Sequence, residues 1–374
     1  MKYDFTSILE RHGKDAIAVD GLGTGFAPSA PKEGFDAIPM WVADMNFPVV
    51  PTIQQEVIAR VQHPAFGYFD PSDEYYNAIL QWQARRNGVT GLEKQHIGYE
   101  NGVLGGVVSA LNCVCSRGDK VLVHSPTYIG FTRCLENNGY DIVQSPLVQD
   151  ENGVWRMDFA DIEKHLAEEH IHAAILCSPH NPIGRVWTRE ELEEVGRICI
   201  DNNVLVVSDE IHFDFILTGH KHTVFANISE EFAQHCIICT APSKTFNIAG
   251  LKISNIVIPN DHLRKQLLEK NQRDFASNAL GIQACRICYD DCGAWKDEML
   301  CMIEYNYQQV KKFVEEKLPQ IKVIELQGTY LLWLDCTALG LSDEELEKLT
   351  LGADLYLDEG YLFGPGGSGF ERIN

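Results

Sequence analysis

The sequence predicts an α/β fold: a large domain with a mostly parallel sheet covered by helices, plus a smaller α+β domain drawn from both chain ends. Two observations carry this. In the middle of the chain, short continuous apolar runs alternate with helical patterns, and such runs mark strands buried on both faces. From about residue 281 the pattern changes to a long helical stretch, two strand-like runs and a further helix. The implied division is 46–280 for the large domain, and 1–45 with 281–374 for the small one.

Taken in order, Asn101-Gly-Val-Leu-Gly-Gly106 precedes a helical run from Val107 to Cys115. Strand signals follow at Lys120–His124, Ala173–Cys177, Val204–Ser208, Ile237–Thr240 and Ile253–Ile258. Between the second and third, Thr188-Arg-Glu-Glu-Leu opens a helix with a capping-box pattern that runs to about Asn202. The late helical stretch runs from Gly281 to near Leu318, with a break around Asp291 to Gly293. Strand-like Ile321–Leu326 and Tyr330–Leu334 come next, then a helix from Ser342.

A chain of 374 residues can bury a large core, and 45% hydrophobic with 22% charged residues is ordinary for a globular protein. A formal charge of −22 argues against nucleic acid or an anionic membrane as the main partner. The N-terminus has no apolar signal core, and no apolar run reaches spanning length, so the expected location is cytoplasmic. The twelve cysteines then read as reduced thiols. Cys236-Ile-Ile-Cys239 lies on a strand pattern, and Cys285, Cys288 and Cys292 share one helix face; both read as core packing. No fourth ligand at zinc spacing accompanies either group, so no metal is expected.

In parallel sheets ligands bind at the carboxyl ends of the strands. The polar clusters obey that rule. Ser125-Pro-Thr-Tyr128, Ser178-Pro-His-Asn181, Asp209-Glu-Ile-His212 and Ser243-Lys244 each follow a strand directly, so four loops should converge on one crevice. Lys244 sits at the mouth of a buried strand, where poor solvation lowers its pKa and favours Schiff-base chemistry with a carbonyl. The glycine cluster at a helix start suits a phosphate, although taken alone it reads more readily as a tight turn. Tyr128 could lie across a planar ligand or be a core tyrosine. Asn181 could donate into the crevice or only shape a turn. Asp209 ends the most apolar strand and needs a cation or strong donors there, unless it caps a helix or pairs structurally. Together the groups meet one demand, which is to hold an aromatic, phosphorylated aldehyde. The lysine takes the aldehyde, the glycine loop the phosphate, the tyrosine the ring face and the aspartate the ring nitrogen.

These residues carry a resemblance. The chain resembles the fold-type I pyridoxal-phosphate enzymes of the class I/II aminotransferase-like superfamily, and within it the cystathionine β-lyase (C–S lyase) branch. The likeness runs through Pro39-Met-Trp-Val-Ala-Asp-Met-Asn-Phe47, Gly67-Tyr68, Ser178-Pro-His-Asn-Pro-Ile-Gly-Arg-Val-Trp187, Ser208-Asp-Glu-Ile-His-Phe-Asp214 and Ala241-Pro-Ser-Lys-Thr-Phe-Asn-Ile-Ala-Gly-Leu251, to Arg372. His180 and His212 point to the branch, since typical aminotransferases of the superfamily carry tyrosine at the latter place.

The resemblance implies pyridoxal 5′-phosphate as cofactor, with Lys244 as both its anchor and the catalytic base. It places Asp209 on the ring nitrogen and Tyr128 on the ring. Asn181 falls at the ring hydroxyl and the substrate carboxylate, and His212 among the cofactor contacts. Val103, Leu104, Ser243 and Lys252 fall around the phosphate. Tyr68 would reach the phosphate of a neighbouring subunit, which implies a homodimer with shared active sites. Arg372 would clamp the substrate carboxylate. The implied reaction is α,β-elimination on cystathionine, cysteine or another Cβ-thio L-amino acid. An aminotransferase, or a protein of this fold with an added regulatory binding role, are the alternatives. An unrelated dinucleotide-binding dehydrogenase is disfavoured, because no Gly-x-Gly-x-x-Gly follows these strands.

Three departures from the family pattern stand out. Lys252 replaces a common arginine, and Asn46 replaces a common aspartate. The chain also stops two residues after Arg372, which predicts a frayed clamp.

Overall fold

The computed structural model describes residues 2–33, 37–271 and 277–374. Its main sheet has seven strands: β1 (Ile97–Glu100), β2 (Lys120–Ser125), β3 (Asp141–Pro146), β4 (Ile171–Cys177), β5 (Leu205–Asp209), β6 (Cys236–Thr240) and β7 (Ser254–Val257). Their order is β1-β7-β6-β5-β4-β2-β3. Strands β2 to β6 pair with one another in parallel, as the apolar runs of β2, β4, β5 and β6 predict. The last expected strand differs: β7 is antiparallel to both β6 and β1.

The two strands that the sequence did not reveal, β1 and β3, are the edges of the sheet. Having one neighbour each, they are only partly covered; Asp141–Pro146 alternates exposed and buried positions instead of forming an apolar run. Inside the sheet, alternate residues serve two cores. Leu122, Leu176, Val206 and Ile238 pack with Trp187, Leu192 and Val195 on one face. Val121, Val123, Ile175, Val207 and Ile237 pack with Val107 and Leu111 on the other. Cys236 and Cys239 fall into these opposite cores, so they are packing residues rather than a facing pair. Cys285, Cys288 and Cys292 are all fully buried in a third core.

Helix α1 (Val103–Val114) begins four residues earlier than expected. Of the glycines that read as a loop, Gly105 and Gly106 lie inside its first turn and Gly102 directly precedes it. At Gly106 a Cβ would approach Cys239 Sγ to 3.2 Å, so the residue's smallness serves helix–sheet packing. Helix α2 (Ile129–Asn138) follows β2. Helix α3 (Arg189–Asp201) has the predicted capping box between Thr188 and Glu191, and its C-cap is Asn202. Such a cap contributes about 1 kcal/mol.

Helices α4 (Ala279–Asp291) and α5 (Gly293–Lys317) are separated at Cys292, as the pattern predicts. Helix α6 (Asp343–Gly352) is capped by Ser342. A second, antiparallel sheet joins β8 (Lys322–Val323), β9 (Leu332–Asp335), β10 (Asp358–Glu359) and β11 (Phe370–Ile373) in the order β8-β9-β11-β10. Strand β8 is shorter than Ile321–Leu326 because the chain turns away. Gln327 and Gly328 give their N–H groups to the Gly184 carbonyl instead. Near the N-terminus, Ile38–Pro39 pairs in parallel with Leu355–Tyr356. No described helix is long and apolar enough to cross a membrane.

Candidate active site

Five strand ends supply one cleft of about 220 Å³. Nine predicted residues line it: Val103, Leu104, Tyr128, Asn181, Asp209, His212, Ser243, Lys244 and Lys252. The segment around Ala43 forms the opposite wall.

Lys244 lies in the short turn after β6 and donates from Nζ to the Ala43 carbonyl at 2.8 Å. Burial and the nearby Arg372 cation lower its pKa to about 8, against the opposing pull of Asp44 and Asp209. Desolvation wins because the amine sits at the base of the cleft, although the residue as a whole is only half-buried. Asp209 shows the converse. Its carboxyl is buried, accepts one backbone N–H, from Ile211 at 2.9 Å, and is pushed up to about 7 mainly by desolvation.

Tyr128 occupies the N-cap position of α2 and turns its ring over Gly130, where a Cβ would lie 2.3 Å from the ring Cε1. A glycine two residues beyond an aromatic at a helix start was the available sequence signal for this requirement. Gly102 precedes α1 with φ of +101°, and no side chain caps the helix. Its first N–H groups and positive end therefore face the cleft beside Val103 and Leu104. Ser243 donates to the Ile253 carbonyl at 2.9 Å, and Lys252 is exposed in a left-handed conformation with φ of +50°. His212 is buried against Phe215 and Tyr330, which lowers its pKa to about 3, so its imidazole is neutral. Buried His180 is likewise lowered to about 3 and packs against Trp187.

Arg372 is not frayed. It is 3% exposed, paired in register with Trp333 on one side and Asp358 on the other. Its guanidinium donates to Asn181 Oδ1 at 3.1 Å and to the Trp41 carbonyl at 2.7 Å, and forms an ion pair with Asp358. Strand pairing holds the end of the chain, and Asn374 adds bonds to the Met40 and Asp44 carbonyls. Asn46 also has a partner: Arg11 donates to its Oδ1 at 2.9 Å while also holding Asp44. Tyr68 alone among the predicted residues lies apart from the cleft, and it is 88% exposed.

Asp358, Trp41, Gly130, Asn247 and Tyr330 support this site without having been legible as site residues. Asp358 meets Arg372 only through the register of β10 and β11. Asn247 holds Met45 by two bonds, of 3.1 and 2.9 Å, and so pins the Ala43 wall.

The donor set fits a phosphorylated pyridine aldehyde on three counts: an amine of lowered pKa, a buried carboxyl with no cation bonded to it, and an uncapped helix start. The wider comparison agrees. The model of the class I and II aminotransferase family matches residues 42–374, and the chain belongs to that family, in its cystathionine β-lyase branch. It is 39% identical over 374 residues to the cystathionine β-lyase PatB of Bacillus subtilis (strain 168), covering 99% of this chain and 95% of that one. Cystalysin from Treponema denticola, solved with pyridoxal 5′-phosphate, superposes with a TM-score of 0.92 at 35% identity. That match covers 100% of this chain and 94% of the other. The pyridoxal-phosphate-bound C–S lyase of Staphylococcus hominis gives the same TM-score at 31% identity, with the same two coverages.

Proposed function

We propose that the protein is a pyridoxal 5′-phosphate-dependent carbon–sulfur lyase. It acts on cystathionine, cysteine or related Cβ-thio L-amino acids and releases thiol, pyruvate and ammonia. The observation that carries this reading is the convergence of Lys244, Asp209, Tyr128 and Asn181 with the start of α1 on one cleft.

When bound, the cofactor supplies an aldehyde for the substrate amine and a ring that draws electrons from Cα. The rest is the work of the chain. The α1 start and Ser243 hold the phosphate, and Tyr128 covers the ring. Asp209 keeps the ring nitrogen protonated; meeting that cation offsets the cost of its burial. Arg372, oriented by Asp358 and Asn181, takes the substrate carboxylate. Lys244, with an amine that is partly neutral near pH 7, removes the Cα proton. The sulfur then leaves Cβ with the Cβ–S electron pair and takes up a proton as thiol; the released aminoacrylate is hydrolysed by water to pyruvate and ammonia.

A homodimer with Tyr68 reaching the partner's phosphate belongs to the same reading. Its support is exposed apolar surface, since Tyr68 and Phe66, which line one shallow pocket, are 88% and 62% exposed. A cytoplasmic setting fits a chain whose twelve cysteines read as reduced thiols, and the division at residues 46 and 280 remains our proposal for the domains.

Purified protein loaded with cofactor should release pyruvate and thiol from cystathionine, and Lys244→Ala should slow this by about a thousandfold or more. If no Cβ-thio amino acid yields pyruvate while the cofactor is bound, the lyase reading fails. Keto-acid-dependent amino transfer without thiol release would replace it with an aminotransferase.

A further inference from the structure

Tyr330 meets the reactive lysine through a single shared atom. The Ala43 carbonyl oxygen accepts from Lys244 Nζ at 2.8 Å and from Tyr330 Oη at 2.8 Å. A peptide carbonyl has two lone pairs, so these donors fill it. Both sides of the contact are fixed. Ala43 leads into Met45, which Asn247 holds through its N–H and its carbonyl, and Asn247 lies three residues past Lys244. The Tyr330 ring packs on Phe215 at 4.8 Å and on His212 at 5.8 Å between centroids. Burial raises the Tyr330 hydroxyl well above the ordinary tyrosine range, so it remains a donor.

We propose that Tyr330 is a positioning residue for Lys244. By donating to the Ala43 carbonyl, it fixes where the amine docks and weakens that oxygen as an acceptor for an ammonium. The physical reason is competition. An undivided acceptor favours the charged donor, whereas an oxygen already polarised by a hydroxyl offers the ammonium less. The other charged and titratable groups that face the amine are Arg372, Asp44, Asp209 and His212. Asp44 is already engaged by Arg11, so the shared carbonyl is the direct hydrogen-bond acceptor left to tune the amine. The inference rests on Lys244 being the reactive amine, and its test is kept separate from the lyase assay.

The experiment uses cofactor-free protein. The rate of Lys244 modification by an amine-acylating reagent is followed against pH by peptide mapping, in wild type, Tyr330→Phe and Phe215→Leu. Tyr330→Phe keeps the ring and removes the donor; Phe215→Leu loosens the ring and keeps the donor. The midpoint should rise by about half a unit to one unit in Tyr330→Phe, leaving about three- to tenfold less free amine at pH 7. Phe215→Leu should leave it unchanged. Cofactor reattachment to Tyr330→Phe should be slowed at pH 7 by the same factor and recover at pH 9. An unmoved or lowered midpoint in Tyr330→Phe, an equal rise in Phe215→Leu, or a reattachment defect that persists at pH 9 would each overturn the proposal. Loss of the lyase reading would show elsewhere, as absence of pyruvate from Cβ-thio amino acids, and would leave this titration intact.

Discussion

Burial acts on Lys244 and Asp209 in opposite senses, removing a proton from the amine and adding one to the carboxyl. Both shifts move groups that are charged in water toward their neutral forms inside the cleft, and a cationic partner would restore the charge of Asp209. The carboxyl shift has a sign that can be tested. Its folded value is raised from 3.8 to about 7, so the folded protein keeps a proton that the unfolded chain releases as pH rises through that window. Without cofactor, the stability contribution of this group is therefore greatest below about pH 4 and declines toward pH 7. Cofactor-free Asp209→Asn should accordingly melt a few degrees above wild type at pH 8. The same variant should bind the cofactor at least about tenfold more weakly, because no anion meets the ring nitrogen. Thermal melts and cofactor titration check both halves, and a lower melting temperature at pH 8 would refute the first.

At the scale of elements, α2 shows how a helix start serves the site. Tyr128 stands at its N-cap position, and the ring passes where the side chain of residue 130 would stand. Alanine is the better helix former by about 1 kcal/mol, so helix propensity alone predicts that Gly130→Ala stabilises the protein. The ring contact predicts a cost in binding. With a Cβ only 2.3 Å from Cε1, either Tyr128 leaves the cleft or α2 shifts. Cofactor affinity should fall about tenfold while the melting temperature of the cofactor-free protein holds or rises. Wild-type affinity in Gly130→Ala would mean that Tyr128 does not cover the ring. Strand β11 makes a comparable case: pairing with both β9 and β10 makes this four-residue strand a rigid support for Arg372.

For the molecule as a whole, Tyr68 is the open question, since it is distant from its own cleft and exposed. If it completes a neighbour's site, two inactive variants should repair each other. Mixing Lys244→Ala with Tyr68→Ala and allowing subunit exchange should restore about a quarter of wild-type activity, because random hybrids of a two-fold dimer rebuild one intact site in half the dimers. Mixed samples no more active than the sum of the two variants would rule out the shared site. The charge of −22 is spread over a chain whose cleft nevertheless gathers Lys244, Lys252 and Arg372. Net charge therefore argues against a polyanion as the main partner without describing the pocket.

Much of this was readable from residue order. Continuous apolar runs give the parallel strands β2, β4, β5 and β6, because burial on both faces leaves no place for alternation. Polar residues placed directly after those strands identify Lys244, Asp209, Asn181 and Tyr128, since strand ends in such a sheet are where ligands meet the chain. Edge strands β1 and β3 were silent, being half-covered, and the reversed direction of β7 leaves no mark in composition. What only the tertiary structure decided are contacts between residues far apart in the chain: Asp358 with Arg372, Asn247 with Met45, and Tyr330 with Lys244 across the Ala43 carbonyl. Side-chain type and local spacing set what a residue can do. Register and packing set which partner it meets, and those are properties of the folded chain.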